Sequence, residues 1–442
     1  MAVRQKRAVV LGASVAGLLV GRVLADFFDE VVLIDKGNLD DAVAPRRSVP
    51  QGNHAHAILT PMFHILERFL PDLVDALVAD GASVYDAGKR VRILFLGKPL
   101  TSGRTGQPII GSTRPFFEHH LRRQVRAIDN IQIRSGYRFQ SWLTDDLQCG
   151  ISGISISDHA SEVEIAADLV VDARGRGSSR ATELTGLGFE SPRIDRVQVD
   201  LGYTSRVYRA PGYEPQWNLL HMNAHAPDIW KGGMISRVEN GMWVVTQFGY
   251  FGDHAPADDH GFARFAQSLD APDIADFLAF AQPISSFRQF GIRDCRMLRI
   301  DQLARFPERL LAVGDTVCSL NPVYGQGMTK AAIEAARLWD ELASHLGSTG
   351  TLDGFSDRFR RCLPEAAAKW AWKMTTGADM CFAQTGGHRR TEDTIMVQYA
   401  KRILLRAMED LDARGRILDV TMLCSPPRCL LHPRMMLYAL GI

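Results

Sequence analysis

The sequence predicts an α/β fold in which a Rossmann-type nucleotide-binding domain is intergrown with a β-sheet domain and followed by a helical C-terminal segment. Three observations predict it. A strand, glycine loop, helix and second strand open the chain. Near residue 310 another strand ends in an acid and a Gly/Pro loop that leads into a helix. Between them, residues 190–300 carry most of the remaining strand signal, and past residue 350 the apolar spacing becomes helical.

The opening unit can be justified residue by residue. Residues 8–11 form an apolar run of the kind that makes a buried parallel strand. Gly12-Ala13-Ser14-Val15-Ala16-Gly17 follows at once. Residues 18–28 then read as a helix, and residues 31–34 as a second strand that ends in Asp35-Lys36. This is the dinucleotide fingerprint, with Ser14 where glycine is usual. Gly12 permits the tight turn, and Gly17 lets helix and strand pack closely. The helix start offers free N–H groups and a positive dipole end to phosphates. Asp35 stands where a carboxylate receives a ribose hydroxyl pair, which suits FAD or NAD over NADP.

The totals narrow the class. The chain has 442 residues, enough for two intergrown domains, with 46% hydrophobic and 23% charged residues. A formal net charge of +1 gives no basic excess for nucleic acid. Seven scattered cysteines, without a CxxC pair, argue for reduced thiols rather than a disulfide frame or a zinc site. The first residues run straight into a strand pattern without a signal-peptide apolar region, and no apolar stretch reaches the ~20 residues of a membrane span. A cytoplasmic protein without a transmembrane span is expected. Neither an HExxH metal motif nor a GxSxG elbow occurs.

The middle of the chain supplies the sheet. Residues 61–79 read as one amphipathic helix, 91–95 and 131–133 as short strands, and 197–207 as a long alternating strand. Residues 233–251 contain a hairpin whose turn, Glu239-Asn240-Gly241, favours positive φ at Asn240 and Gly241. Residues 284–300 give another strand or two. Aromatic residues such as Tyr203, Trp217, Trp243 and Tyr250 could build core or an apolar pocket. The last twenty residues, 423–442, could cap the core, form an apolar substrate entrance or touch a membrane surface.

Residues 309–313 form the late strand, followed by Gly314-Asp315 and then Pro322-Val323-Tyr324-Gly325-Gln326-Gly327-Met328 at the head of a helix. On these motifs the sequence resembles the FAD-dependent monooxygenases of the para-hydroxybenzoate hydroxylase type. The resemblance implies that Asp315 holds the ribityl hydroxyls of FAD. It also implies that the loop of Pro322 and Gly325 faces the reacting flavin ring, with Gly314, Gln326, Gly327 and Met328 beside the cofactor. Gly12, Ser14, Ala16, Gly17, Asp35 and Lys36 would hold the adenosine end. The family's middle motif corresponds to Asp172-Ala173-Arg174, with Ala173 where glycine is usual, and Asp172 becomes a cofactor candidate. Arg114 sits where the family often opens a helix near the ribityl chain.

The stretch Arg46-Arg47-Ser48-Val49-Pro50-Gln51-Gly52-Asn53-His54-Ala55-His56-Ala57 looks like a subgroup that includes bacterial epoxidases of polyether polyketide biosynthesis. Arg47 is thereby a cofactor-side candidate. His54 and His56, two apart in an extended segment, would point to one side and are candidates for the active-site cavity.

The implied activity is transfer of one oxygen atom from a flavin hydroperoxide to a lipophilic substrate. Epoxidation or hydroxylation of a polyketide, terpenoid or aromatic metabolite would follow. One strand–glycine loop–helix leaves no second dinucleotide domain. NADPH or NADH must then reduce the flavin in the same cavity, or a flavin reductase must supply electrons. Other readings are a reductase of the geranylgeranyl reductase type, a flavin-dependent halogenase and a non-catalytic flavin sensor. The halogenase reading rests on Trp370-Ala371-Trp372-Lys373, which departs from the WxWxIP signature at Met374-Thr375. The expected division places the FAD-binding domain at 1–85, 112–190 and 300–345. The substrate domain takes 86–111 and 191–299, and the helical segment 346–442.

Overall fold

The computed structural model describes residues 5–39, 43–46, 49–146, 149–158, 160–385 and 391–440. Five parallel strands form the first sheet, in the order Leu310–Ala312, Leu169–Asp172, Gln5–Leu11, Phe28–Asp35 and Ile131–Ser135. Ala8, Val9 and Val10 have no exposed surface, as a strand covered on both faces requires. The helix Val15–Leu24 lies on this sheet, and the 23-residue helix Gly327–Thr349 packs against it. The first helix ends at Leu24, earlier than the expected residue 28. Phe28 instead opens the second strand and pairs with Gln5, because Phe28 and the apolar, mostly β-branched residues 31–34 fit a pleated surface.

From Gln5–Leu11 the chain first builds outward to Phe28–Asp35 and Ile131–Ser135. It then returns to the other side of Gln5–Leu11 for Leu169–Asp172 and Leu310–Ala312. The direction of winding therefore reverses between Gln5–Leu11 and Leu169–Asp172, and a crevice opens beyond the strand ends at such a point.

A nine-stranded sheet forms the second layer. Its longest member, Ile194–Arg209, pairs antiparallel with Arg288–Leu298 on one side and Trp243–Gly249 on the other. The register shifts between Gln198 and Leu201, where Asp200 takes a φ of 39°. The hairpin of Lys231–Arg237 and Trp243–Gly249 turns at Asn240 and Gly241, with φ 57° and 67°. Val91–Phe95 adds parallel to Leu219–Met222 and carries this sheet toward the C-terminal helices.

The single helix expected over residues 61–79 is two, Thr60–Phe69 and Asp72–Ala79. Pro71 is the reason: its ring disfavours the helical region for the residue before it, and Leu70 leaves that region at φ −143°. The C-terminal helices Thr391–Arg406, Leu411–Thr421 and Pro433–Leu440 share a core with Phe95 and Leu100. The buried Arg414 fastens them to the sheet by donating to the carbonyls of Leu100 at 3.2 Å and Val91 at 2.5 Å. Among the described residues, no helix is long and apolar enough to cross a membrane.

Candidate active site

Three loops meet beyond the ends of the parallel strands. Gly12 adopts φ +102°, and a Cβ there would lie 2.5 Å from the Ala173 carbonyl oxygen. Gly314 adopts φ +65°, and its Cβ would lie 3.2 Å from the Ala16 side chain. The Gly175 N–H donates to Thr316 Oγ1 at 2.9 Å. The glycine loop of residues 12–17, the loop after Asp172 and the loop of residues 314–316 are thus packed on one another. Gly17 acts in packing: its Cβ would collide with the Gly12 carbonyl oxygen at 1.7 Å.

Two helices start at this junction without a side-chain cap. Ser14 precedes Val15–Leu24 and Gln326 precedes Gly327–Thr349, and neither side chain bonds to its helix. The first-turn N–H groups remain available, with the positive ends of both helix dipoles. A Cβ at Gly177, Gly325 or Gly327 would meet nothing within 4 Å, so open space lies against bare backbone there.

Ser14 is turned toward a polar cluster. Its hydroxyl donates to Glu118 Oε1 at 2.7 Å and accepts from Arg114 Nη2 at 3.0 Å. Arg114 Nε reaches Glu118 Oε1 at 2.9 Å, and Arg46 Nη2 reaches Glu118 Oε2 at 2.5 Å. Asp35 accepts the Ala13 N–H at 2.9 Å and the Gly37 N–H at 2.8 Å, one on each oxygen, and Arg46 stands 3.6 Å away. Each carboxylate oxygen keeps a further acceptor site. Glu118 was not among the residues expected from sequence. The signal lay in its spacing, four residues after Arg114 on one helical face.

Burial works against ionised Glu118, but the guanidiniums of Arg114 and Arg46 outweigh it and hold the carboxyl at about 2. A depressed folded value adds stability that is complete above the ordinary 4.5 and is lost as pH falls toward 2. Glu118→Gln should therefore flatten the acid limb of the unfolding-stability curve. The wild-type protein should lose about 3 kcal/mol more than the variant across that window. Equal slopes in denaturant titrations across the window would remove this role from Glu118.

At the other end, the Gly314 N–H donates to Glu334 Oε2 at 2.6 Å, and Lys330 Nζ donates to Glu334 Oε1 at 3.0 Å. Lys330 and Glu334 are both fully buried. Asn321 fixes the next loop: its Oδ1 accepts from the Val323 N–H at 3.1 Å, and its Nδ2 donates to Asp379 Oδ2 at 3.0 Å. Tyr250 and Tyr324 donate to Asp379 Oδ1 at 3.1 and 3.0 Å. Burial raises Asp379 to about 6, against these three donors. Asp379, at the end of the helix Lys369–Asp379, was also not foreseen. Gln326 Nε2 donates to the Thr421 carbonyl at 2.8 Å and joins this loop to the C-terminal helices.

His54 and His56 lie between the two ends. His54 is buried and shares a 2.7 Å hydrogen bond with Ser205 Oγ through Nδ1. Ser205 Oγ in turn lies 2.6 Å from Thr246 Oγ1. The His54 ring sits 5.5 Å from Tyr203 and 6.0 Å from Phe290, and its Nε2 has no partner among the described residues. His56 Nδ1 donates to the His54 carbonyl at 2.8 Å, which leaves the lone pair on Nε2. Burial lowers His54 to about 4, and burial with nearby Arg114 lowers His56 to about 3, so both rings are neutral at pH 7.

One cavity of about 2090 Å³ joins these parts. Its lining includes Gly12, Ser14, Ala16, Asp35, Lys36 and Arg114 at one end. Gly314, Asp315, Pro322, Gly325, Gln326, Gly327 and Met328 line the other, and His54 and His56 also contribute. Gly17 lies outside the lining. So does Asp172, which the sequence offered as a cofactor candidate. Asp172 is fully buried and its oxygens are taken by the Arg174 guanidinium at 2.9 Å, by Ser178 Oγ at 2.9 Å and by Arg180. These arginines, against the cost of burial, hold its carboxyl far below the usual range. Arg47 lies outside the described residues. The C-terminal helices contribute Met396, Leu404, Leu418 and Met422 to the wall, so this segment both closes a core and bounds the cavity.

No family model matches the sequence. Among solved structures, the flavin-dependent brominase Bmp2 covers 98% of this chain and 97% of its own, with TM-score 0.67 and 12% identity. PqsL of Pseudomonas aeruginosa, described as a probable FAD-dependent monooxygenase, covers 86% and 99%, with TM-score 0.65 and 13% identity. The p-nitrophenol 4-monooxygenase PnpA of Pseudomonas putida DLL-E4 covers 94% and 97%, with TM-score 0.62 and 17% identity. The fold is therefore the one these flavin-dependent enzymes share. In sequence, the chain is 32% identical over 349 residues to Protein Rv3254 of Mycobacterium tuberculosis (strain ATCC 25618 / H37Rv), spanning 75% of this chain and 72% of that protein. The chain belongs to the family of this mycobacterial protein.

Proposed function

We propose that the chain is an FAD-dependent monooxygenase that adds one oxygen atom to a lipophilic substrate. One observation carries the reading: a single cavity runs from the Gly12–Asp35 end to the start of Gly327–Thr349, with an uncapped helix N-terminus at each end. Its volume is about twice the ~1,000 Å³ upper range of ordinary ligand pockets, room for a dinucleotide and a second molecule.

The residues present fit FAD. The N–H groups at the start of Val15–Leu24 would take the pyrophosphate, and Asp35 and Lys36 would meet the adenosine ribose. Asp315 would meet the ribityl chain. The helix start at Gly327 and Met328 would stabilise negative charge on the pyrimidine edge of the ring. Bound FAD, once reduced, supplies activated oxygen; the chain's own groups position the substrate and keep water out. The neutral rings of His54 and His56 offer hydrogen bonds rather than charge. Apolar surface dominates the remaining wall, from Ile93 and Phe95 to Leu418 and Met422, and suits a lipophilic molecule.

The resemblance of residues 46–57 to polyether epoxidases favours epoxidation, with hydroxylation as the related outcome. NADPH or NADH would supply electrons, directly or through a flavin reductase. The reading is tested by flavin content and labelled dioxygen. Purified protein should retain flavin, and Asp315→Ala should lower that occupancy by about tenfold. Label should enter the product in step with oxygen uptake. Product formation without oxygen would sink the monooxygenase reading in favour of a reductase of the geranylgeranyl reductase type.

A further inference from the structure

We infer that the cavity selects an oxygenated lipophile, one whose apolar skeleton carries more than one hydroxyl or ketone group, through a polar stripe of His221, Asn223 and His225. This rests on the monooxygenase reading and goes beyond it in naming the substrate class. Leu219–Met222 lies between Lys231–Arg237 and Val91–Phe95 in the large sheet. His221 is in register with Ile93 on one side and Met234 on the other, and all three line the cavity. Asn223 and His225 continue the lining past the strand end, where the His225 ring stands 4.9 Å from Phe95. The stripe is thus set in an apolar wall, on the side toward the C-terminal helices.

Among the described residues, none of these three side chains has a hydrogen-bond partner in the protein, and Nε2 of both histidines is buried without one. Buried polar groups are nearly always paired, and leaving one unpaired is costly. Two such nitrogens, with the part-exposed Asn223 amide between them, on the wall of a large cavity point to partners carried by a ligand. Burial lowers His221 to about 4 and lowers His225 further than its nearby charges, Lys401, Asp270 and Asp228, would move it. Each neutral ring offers one donor and one acceptor, and a turn of the ring exchanges the two nitrogens at the surface. The Asn223 amide offers both as well. Such a set suits hydroxyl and carbonyl oxygens.

The test uses three probes on purified protein: dodecane, dodecanol, and dodecanediol with a hydroxyl at each end. Binding is read by quenching of tryptophan fluorescence, and flavin content is measured separately. Wild type should bind the diol about tenfold more tightly than dodecane. His221→Leu and Asn223→Leu should each lose most of that preference while flavin content stays unchanged. The thermal midpoint of unliganded His221→Leu should hold or rise, because an unpaired polar group has been replaced by an apolar one of similar size. A preference for the diol that survives in both variants would overturn the inference, as would its absence in wild type. Protein that lacks flavin yet prefers the diol would instead count against the FAD reading and leave the stripe standing.

Discussion

Gly12→Val is expected to give a folded protein that no longer retains flavin. The backbone at Gly12 has φ +102°, a region closed to β-branched residues, and holding one there costs about 1–3 kcal/mol. Sterics add to this. A Cβ would sit 2.5 Å from the Ala173 oxygen and 2.9 Å from its carbonyl carbon. That backbone cannot yield easily, because the Ala173 N–H is bonded to the Leu11 carbonyl at 2.8 Å, next to the parallel ladder. The turn must therefore move, and the N–H groups at the start of Val15–Leu24 move with it. A displacement of that kind should weaken flavin binding on the order of 100-fold. The strand interior, Ala8 to Val10, is untouched, so far-ultraviolet circular dichroism should match wild type. Gly325→Ala is the comparison: φ is also positive, +67°, but the added carbon meets nothing within 4 Å, and the loss should be much smaller. The measurement is the flavin-to-protein absorbance ratio after gel filtration. Full flavin in Gly12→Val would mean that the pyrophosphate is held elsewhere.

The parts of this site that were legible in the sequence are those where backbone geometry dictates residue type. Gly12 and Gly314 are glycines because both adopt positive φ against a close neighbour, and such positions stand out in a string of letters. Asp35 was legible from its place at a strand end. Glu118 and Asp379 were not. Each is a single acid on an ordinary helix, and its importance comes from partners far away in sequence: Ser14 and Arg46 for one, Tyr250 and Asn321 for the other. The partners of Asp172 were equally hidden: the arginines that follow it fold back onto both its oxygens. The expected helix over residues 61–79 failed at Pro71, where apolar periodicity continued across a residue that breaks the backbone pattern. Periodicity reports which face is buried and is silent on whether the chain stays continuous.

The largest loss of stability should come from Glu334→Leu. Lys330 and Glu334 are fully buried and bonded at 3.0 Å within one helix, and Glu334 also receives the Gly314 N–H at 2.6 Å. Removing the carboxylate strands an ammonium group without counter-charge and leaves a backbone donor unpaired. Breaking one side of a buried pair typically costs about 3–5 kcal/mol. Replacing both members with apolar residues of similar size avoids the stranded charge, so Lys330→Met combined with Glu334→Leu should recover most of that loss. The double variant still lacks the acceptor that anchors Gly314, and Gly314 precedes Asp315 at the cavity wall. Stability and flavin retention should therefore part company: the double variant approaches wild type in urea unfolding, yet releases flavin more readily on dilution. If the double variant remains as unstable as Glu334→Leu, the ion pair is not what holds this helix in place. If it regains flavin retention together with stability, the Gly314 anchor has no separate part in shaping the site, and the buried pair serves the fold alone.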